Sequence, residues 1–387
     1  MKKFLPTILI ALFFNQAPAF AIPKSVAAAE ITKVSSIAEH EGALITPQAI
    51  TIFNNLDRKV AITSLDFSGV QKWALTLDGS PDQIAMAATA EKDGSIWLAG
   101  LSTATPVSES ASATVPATNV DGVVVEPVPP LRNDLNAITL WKISVAGQLE
   151  KTFVDSATAP TLITALSHST SGISILADRG SGNFIVNISA TGKFTSTKPL
   201  GSAKTVFNAI YRNSDGSVNL YGSSSENLAG KKLVGVRDGI LAKVNKSGGI
   251  TNLVRSSANR ATRSWTGSTS TIFLVGDVKA GGKNESAFTK FNSSFAPTWT
   301  LRLPSQGAQL ATPAANGGHY ALFNSTASIP GVTGWKPTGA TPIALRFDSK
   351  GVITQALKSS QVKVAEAMSF VPGVGLVIVS QTGIYKG

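Results

Sequence analysis

One strand-and-turn unit recurs six times along this chain and limits what the chain can fold into. Each copy is a short apolar strand that reaches Asp, Asn or Ser and is followed three residues later by Gly. The copies lie at residues 63–69, 141–147, 186–192, 242–248, 289–295 and 345–351, and only the fifth has another residue, Phe295, in place of Gly. A short polar side chain followed by Gly favours a type I turn whose last residue has a positive φ. The unit therefore predicts a series of β-hairpins.

Each repeat contains four strand-like runs, which we call a, b, c and d. Strand a carries the turn motif, strand b follows the turn, and strand c ends in a second Gly turn. Strand d is the clearest run, for example at residues 96–100, 218–222 and 272–276. Repeats begin about 45 to 57 residues apart, except where an insertion lengthens one copy. Four short strands per repeat at this period predict an all-β propeller.

The number of strands gives an expected number of blades. Half a repeat at residues 30–54 supplies two strands, six repeats supply 24, and residues 383–385 supply one more. The total of 27 predicts seven four-stranded blades, with six as the alternative. We expect the N- and C-terminal strands to close the ring, because such pairing removes sheet edges that would otherwise be open to aggregation.

The N-terminus has the pattern of a secretion signal. Lys2 and Lys3 precede a short apolar run at residues 4–14, and residues 19–21 form a small-x-small cleavage site. The apolar run is shorter than the roughly 20 residues that a membrane-spanning helix needs. We expect cleavage after Ala21, a secreted or extracytoplasmic chain without a transmembrane segment, and one monomeric propeller domain at residues 22–387. The absence of Cys excludes disulfides and fits a bacterial source.

The a–b and c–d turns are short, whereas most loops between strands d and a are long. The long d–a loops occupy residues 101–135, 223–238, 277–286 and 325–341, and only the one at residues 179–182 is short. The d–a loops of an up-and-down blade all emerge on one face, and insertions that gather on one face usually mark a binding surface. Residues 101–135 are rich in Ser, Thr, Ala, Val and Pro, which predicts a disordered insertion.

Two of these loops supply candidate ligand-binding residues. Loop 325–341 contains Trp335 beside Lys336, and loop 223–238 contains Lys231, Lys232 and Arg237. An exposed Trp in a Gly- and Pro-rich loop offers a flat platform for a sugar ring. The alternative is that Trp335 folds back onto the protein, because large aromatic side chains are buried on average.

A second candidate site is a ring of bases. Lys142, Lys243, Lys290 and Arg346 occupy the same place in strand a of four repeats. If strand a is innermost, these bases line the central channel and attract an anion. The alternative is that their aliphatic stems pack between blades while the charges face water. The net charge of +11, or +9 without Lys2 and Lys3, favours polyanionic partners, although spread charge also serves solubility.

The residues that join strand d to strand a resemble a known family. Residues 93–100 and 215–222 both follow the pattern Asp-Gly-x-x-x-x-x-Gly, and residues 238–243 begin with Asp-Gly and end in Lys. This pattern resembles bacterial secreted β-propeller repeats of the SBBP type. The resemblance implies the architecture of secreted or surface proteins and does not imply an activity.

No constellation of catalytic residues is visible in the sequence. His40, His168 and His319 lie near the c–d turns of different repeats, where we expect exposed and separate side chains, and zinc needs three or four convergent ligands. The chain has no G-x-S-x-G elbow and no phosphate-binding loop. We therefore predict no catalytic residues, no metal and no cofactor.

These observations favour an exported, non-enzymatic binding or interaction module of the cell surface or extracellular space. Its expected partner is a polysaccharide, a cell-envelope polymer or a protein, bound on the face of the d–a loops, and we do not expect nucleic acid. One alternative is a propeller enzyme that acts on glycans as a hydrolase or lyase, because such enzymes assemble carboxylates from distant blades. A structural envelope component is the second alternative.

Overall fold

The computed structural model describes residues 25–103, 135–156, 160–362 and 364–387 of the 387-residue chain. The predicted signal peptide lies outside the described residues, as does nearly all of the insertion predicted at 101–135. The described residues form 29 β-strands and one short 3-10 helix at Ala315–Gly317. None of them forms a helix that is long and apolar enough to cross a membrane.

Four of the sheets contain four strands that are consecutive in sequence. Strands are numbered in chain order, and β1 (Val26–Glu30) and β2 (Thr32–Ser35) precede these sheets. The first sheet has β3 (Gly42–Ile45), β4 (Ile50–Leu56), β5 (Lys59–Leu65) and β6 (Gln71–Leu77). The second has β7 (Gln83–Ala90), β8 (Ile96–Ser102), β9 (Ala137–Ile143) and β10 (Leu149–Ser156). The third has β11 (Leu162–Ser169), β12 (Gly172–Asp178), β13 (Asn183–Ile188) and β14 (Phe194–Ser196). The fourth has β15 (Thr205–Arg212), β16 (Val218–Ser224), β17 (Asp238–Val244) and β18 (Ile250–Ser256).

A nine-stranded sheet follows along the chain. Its strands are β19 (Thr262–Ser268), β20 (Phe273–Ala280), β21 (Lys283–Phe291), β22 (Pro297–Pro313), β23 (His319–Ser325), β24 (Val332–Thr333), β25 (Thr341–Phe347) and β26 (Ile353–Lys358), together with β1. The fifth four-stranded sheet contains β27 (Ala365–Val371), β28 (Gly375–Ser380), β29 (Gly383–Lys386) and β2. In that sheet the N-terminal strand β2 pairs antiparallel with the C-terminal strand β29.

The expectation of seven blades, and the alternative of six, are wrong. The described residues form a β-propeller with five blades of four strands each, and the other strands belong to the nine-stranded sheet. The long strand β22 is the physical reason. Its residues up to Pro304 pair with β21, and its residues from Ser305 onward pair with β23, so one unbroken strand joins two groups that strand counting treats as separate.

The strands are arranged in the order c, d, a, b within each four-stranded sheet, so these sheets are offset by half a repeat from the unit seen in the sequence. Strand c is therefore the first strand. Each four-stranded sheet contributes its first strand to one closed series, and the nine-stranded sheet contributes two strands, β19 and the second half of β22. Each strand of the series lies against the next, in the order β3, β7, β11, β15, β19, β22 and β27, and β27 lies against β3. This closed series, which we call the inner ring, surrounds the axis. Second strands such as β8 and β16 are fully buried, whereas the fourth strand β10 is largely exposed.

The predicted turn chemistry is confirmed in the a–b hairpins. Asp66 Oδ1 accepts the N–H groups of Ser68 at 2.7 Å and Val70 at 3.0 Å, and Asp348 caps its own turn in the same way. The Gly residues of the motif have φ values between 81° and 90°, the region that favours glycine. Phe295 adopts the same conformation with φ 65° and is buried in a hydrophobic cluster with Trp265 and Phe291.

These glycines also make room for the neighbouring sheet. A Cβ on Gly147 would lie 2.5 Å from the ring of Trp73, and a Cβ on Gly351 would lie 2.6 Å from the ring of Trp299. Each indole N–H donates to a carbonyl of the adjacent turn, Trp73 to Val145 at 2.9 Å and Trp299 to Ser349 at 3.2 Å. Trp73 therefore joins the first two sheets, and Trp299 joins two parts of the nine-stranded sheet.

A second set of contacts joins the sheets at the inner ring. β-Bulges in the first strands release one backbone N–H from the ladder, and a side chain from the preceding strands accepts it. The pairs are Asn55 with Ala85 at 2.7 Å, Asn183 with Phe207 at 2.7 Å, Asp277 with Ala308 at 2.7 Å, and Gln309 with Ala365 at 2.9 Å. An unpaired buried N–H would cost about 1–3 kcal/mol, so these contacts stabilise the closed arrangement.

Candidate functional site

The inner ring carries one displaced residue at the same level of six first strands. The register between first and second strand skips this residue in each case, which is the mark of a β-bulge. Bulges re-aim a side chain, and they often lie beside functional sites. The six skipped residues are Met86, Thr164, Asn208, Thr266, Gln309 and Glu366.

Polar side chains close part of this ring. The amide of Asn208 donates to the carbonyl oxygen of Trp265 at 2.7 Å, and Thr266 donates to the carbonyl oxygen of Ala308 at 3.4 Å. Each bond reaches from one first strand to the next. The open part of the ring lies on the other side, at β3, β7 and β11.

Two adjoining cavities open on that side, which we call the funnel. The outer cavity has a volume of about 430 Å³ and the inner one about 400 Å³, and both are lined by Glu41, Phe53 and Met86. The outer cavity also contacts Asn55 at the end of a second strand and Leu162 at the start of a first strand. Those strand ends lie on the face of the d–a loops, so the funnel opens there.

The funnel has apolar walls and two acidic groups. Among the described residues that line it, Glu41 and Glu366 are the charged ones. The Glu41 carboxylate accepts a hydrogen bond from the amide of Asn55. Gly42 leaves space for the ring of Phe53, because a Cβ there would overlap that ring. The funnel is therefore an acidic cavity with a mostly apolar outer part and a more polar inner part, in a chain with a net charge of +11.

Glu366 forms a buried pair with His40. The carboxyl oxygen lies 2.6 Å from His40 Nε2, and the histidine side chain has no exposed surface. His40 Nδ1 lies 2.9 Å from the carbonyl oxygen of Ala38, which can only accept, so the network assigns a proton to Nδ1. The two atoms are close enough for an ion pair, but their alignment is not that of a hydrogen bond, and neither has a hydrogen-bond partner among the described residues.

The mouth of the funnel carries exposed apolar side chains. Leu162 lines the outer cavity and is 53% exposed. Leu56, which follows Asn55, is 57% exposed, and Val364, which precedes β27, is 67% exposed. Large apolar side chains exposed around one opening are typical of a surface that contacts a partner.

The structure separates the loop residues that the sequence singled out. Trp335 is only 5% exposed, packs in a hydrophobic cluster and donates its indole N–H to Ser325 Oγ at 3.4 Å, so it is not an open platform. Its loop is held down because β24 pairs with β1. Lys336, Lys231 and Lys232 are exposed, and Arg237 is half-buried with a 3.5 Å bond to Ser223 Oγ.

The four bases of strand a do not come together at the axis. Lys142, Lys243, Lys290 and Arg346 lie on the third strands β9, β17, β21 and β25, and a second strand separates each from the inner ring. Burial disfavours the charge on Lys142, but a hydrogen bond to Glu150 and the charge of Glu91 outweigh it and raise the pKa of Lys142. Burial lowers the pKa of Lys290, which donates to the carbonyl oxygen of Phe291 at 2.8 Å.

The three histidines are separate, as expected, but two of them are not exposed. His40 and His319 are each 2% exposed, whereas His168 is partly exposed and stacks on Trp97. Burial, aided by the positive charge of Lys290, lowers the pKa of His319 to about 4. No group of three or more His, Cys, Asp or Glu in the described residues is placed to hold a metal ion.

Glu41, Glu366 and His40 were missed because the sequence has no local motif for them. Glu366 and Glu41 lie at opposite ends of the described chain, and they meet only because β27 lies against β3. One signal was available. A Glu inside the otherwise apolar and small residues of strand c, as in Ala365–Val371, indicates an inward-facing acid.

Comparisons with known proteins support the fold. No family model and no curated protein matches the sequence, so the SBBP-type resemblance rests on the repeat residues alone. A streptogramin B lyase structure matches with a TM-score of 0.55 and 14% identity, covering 92% of this chain and 95% of that chain. Virginiamycin B lyase from Staphylococcus aureus matches with a TM-score of 0.52 and 13% identity, covering 92% and 98%. A Dos1 propeller matches with a TM-score of 0.48 and 12% identity, covering 92% and 95%. The two lyase matches show a shared fold alone, because their identities are far below 25%.

Proposed function

We propose that this chain is an exported, monomeric binding protein whose partner docks on the face of the d–a loops and inserts a group into the funnel. One observation carries the proposal: the funnel combines apolar walls with the carboxylates Glu41 and Glu366. Such a cavity favours a group with an apolar body and a cationic or hydrogen-bond-donating end. Of the expected partner classes, a protein or a cell-envelope polymer that carries amines fits this chemistry.

Small probes of matched shape test the funnel. We expect hexylamine to bind more tightly than hexan-1-ol and hexanoate to bind most weakly, as measured by calorimetry and ligand-observed NMR. Glu41→Gln is expected to reduce the affinity for hexylamine about tenfold, because it removes a charged hydrogen-bond acceptor. Glu366→Gln is expected to do the same if the fold tolerates the change.

Glu39→Gln is the matched control, because Glu39 is exposed and lies two residues from Glu41. It makes the same change in charge and should leave the affinity for hexylamine unchanged. Equal binding of the amine, the alcohol and the acid would overturn the proposed chemistry. So would equal losses in Glu41→Gln and Glu39→Gln, because the effect would then come from the overall charge.

Export is the second part of the proposal and has its own test. The chain secreted by a bacterial host is expected to begin at Ile22, as measured by mass spectrometry of the purified protein. The Lys2, Lys3 and residue 19–21 pattern supports this expectation. Recovery of the intact chain with Met1 from the cytoplasm alone would contradict it.

A glycan-cleaving enzyme is the second candidate, and the His40–Glu366 pair is what favours it. The pair brings an imidazole to within 2.6 Å of a carboxyl group, and Glu366 lines a cavity that also contains Glu41. An imidazole and two carboxyl groups are residue types that general acid–base catalysis uses. New reducing ends or unsaturated products from glycans, abolished in Glu366→Gln but present in Glu39→Gln, would favour the enzyme over the binding protein.

A further inference from the structure

A separate cavity lies apart from the funnel, at the point where β22 passes from its pairing with β21 to its pairing with β23. We call it the seam pocket. Its volume is about 350 Å³, and it lies between the ends of β19, β20 and β21 and the segment 305–307. The d–a connection between β20 and β21 borders it, so the seam pocket opens on the same face as the funnel. The lining residues used below are Thr262, Ser264, Asp277, Lys279, Asn284 and Glu285.

Asp277 is the central group of the seam pocket. One carboxylate oxygen accepts the backbone N–H of Ala308 at 2.7 Å. A carboxylate offers about four acceptor positions, and this bond occupies one of them. Burial raises the pKa of Asp277, which shows that the surroundings do not compensate fully for the lost hydration. A ligand that donates hydrogen bonds to Asp277 would supply that compensation.

Half of the lining residues are neutral and polar, although carbon atoms make up most of the surface that faces the pocket. Ser264 pairs with Asp277 across the ladder, and Thr262 pairs with Lys279 one step outward. Asn284 lies opposite Lys279 on the neighbouring strand. Hydroxyl and amide groups both donate and accept hydrogen bonds, so they suit a ligand that does the same.

The charges around the pocket argue against an ionic ligand. Lys279 lines the pocket. Arg263 lies on β19, and its pKa is lowered mainly by burial and further by the positive charge of Arg302 nearby. These bases disfavour a cation. Asp277 and Glu285, which also line the pocket, disfavour an anion. A neutral ligand with several hydroxyl groups fits this mixture.

We propose that the seam pocket binds a neutral saccharide, with Asp277 accepting hydrogen bonds from adjacent hydroxyl groups of the sugar. A 350 Å³ cavity lies within the range of small-molecule sites, which is about 300–1,000 Å³. The site goes beyond the proposed function, because it shares no lining residue with the funnel. It would add a glycan contact to the docking face.

The test uses maltotriose, cellotriose and chitotriose with the full mature chain. We expect at least one trisaccharide to give saturable binding by ligand-observed NMR, with an affinity that does not depend on salt. Asp277→Asn is expected to weaken binding about tenfold, because the amide keeps an oxygen for Ala308 but loses charge and acceptor capacity. Asp78→Asn is the matched control, since Asp78 is exposed just after β6, far along the chain from the seam pocket, and the change in charge is identical.

Two further variants keep the outcome clear. Asn284→Ala alters an exposed wall residue without touching the Ala308 contact, and it is expected to weaken binding several-fold even if Asp277→Asn fails to fold. Glu41→Gln should leave saccharide binding unchanged. A failure of the funnel proposal is therefore distinguishable from a failure of the saccharide proposal. Absence of saturable binding for all three trisaccharides, or equal affinity in Asp277→Asn and Asp78→Asn, would overturn the proposal.

Discussion

Replacement of Gly222 by Ala is expected to lower the free energy of unfolding by about 3 kcal/mol. Gly222 ends the apolar part of strand β16, opposite the bulge of β15. A Cβ there would overlap the carbonyl oxygen of Val206 and lie 2.7 Å from the Cα of Phe207. Both atoms belong to the backbone of an inner-ring strand, so relief requires a shift of the strand. Urea denaturation followed by tryptophan fluorescence measures the loss.

Gly79→Ala is the control for this substitution. Apart from Gly79 and its two chain neighbours, no atom of the described residues lies within 4 Å of a new Cβ on Gly79, and its φ is outside the left-handed region. The variant is expected to stay within about 0.5 kcal/mol of the natural protein. The third sheet has Ala177 at the position that matches Gly222, so the backbone of an inner-ring strand can make room for a Cβ at this position. If Gly222→Ala proves as stable as Gly79→Ala, β15 adapts in the same way and the predicted strain does not exist.

The second large effect is a loss of stability in acid that is due to His319. The folded pKa of about 4 lies below the ordinary value of 6.5, so below pH 6.5 the unfolded chain binds a proton that the folded chain does not. Stability from this group is therefore fully present above pH 6.5 and is lost as the pH falls toward 4. The loss is expected to be about 2–3 kcal/mol.

His319→Gln isolates this contribution. The amide can still bond to Thr271, whose hydroxyl lies 2.6 Å from His319 Nε2, but it cannot take up a proton. Denaturation curves at pH 7 and pH 4.5 should show a smaller loss in the variant than in the natural protein, because carboxylates titrate equally in both. Parallel losses in the two proteins would show that His319 is not held neutral by its surroundings. An NMR titration of the imidazole gives the pKa directly.

Local chemistry explains why the hairpins could be predicted. The Asp, Asn or Ser of each a–b turn caps the turn within four residues, and this depends only on the adjacent chain. The glycines at φ values of 81–90° follow from the same local geometry. Phe295 was visible as an exception in the sequence. Its burial beside Trp265 depends on another strand and could not be predicted from the turn.

The predicted number of blades was wrong because local sequence patterns do not decide which distant strands pair. A backbone that continues from residue 297 to residue 313 without a turn places one strand in two pairings, and pairing partners are distant in sequence. The same reason applies to the ring of bases. Lys142 and its counterparts do recur at one position of the repeat, but only the order of strands within a sheet decides whether that position faces the axis.

The sequence by itself determined the all-β propeller architecture, the turn chemistry and the face on which long loops gather, because each depends on periodicity and on contacts between near neighbours. Only the tertiary structure decided the number of four-stranded blades, the burial of Trp335, the meeting of Glu41 and Glu366 in one funnel and the contact of Glu366 with the buried His40. Those features depend on which distant strands pack together. Many arrangements of the repeats bury the same apolar residues, and the repeat pattern alone does not distinguish between them.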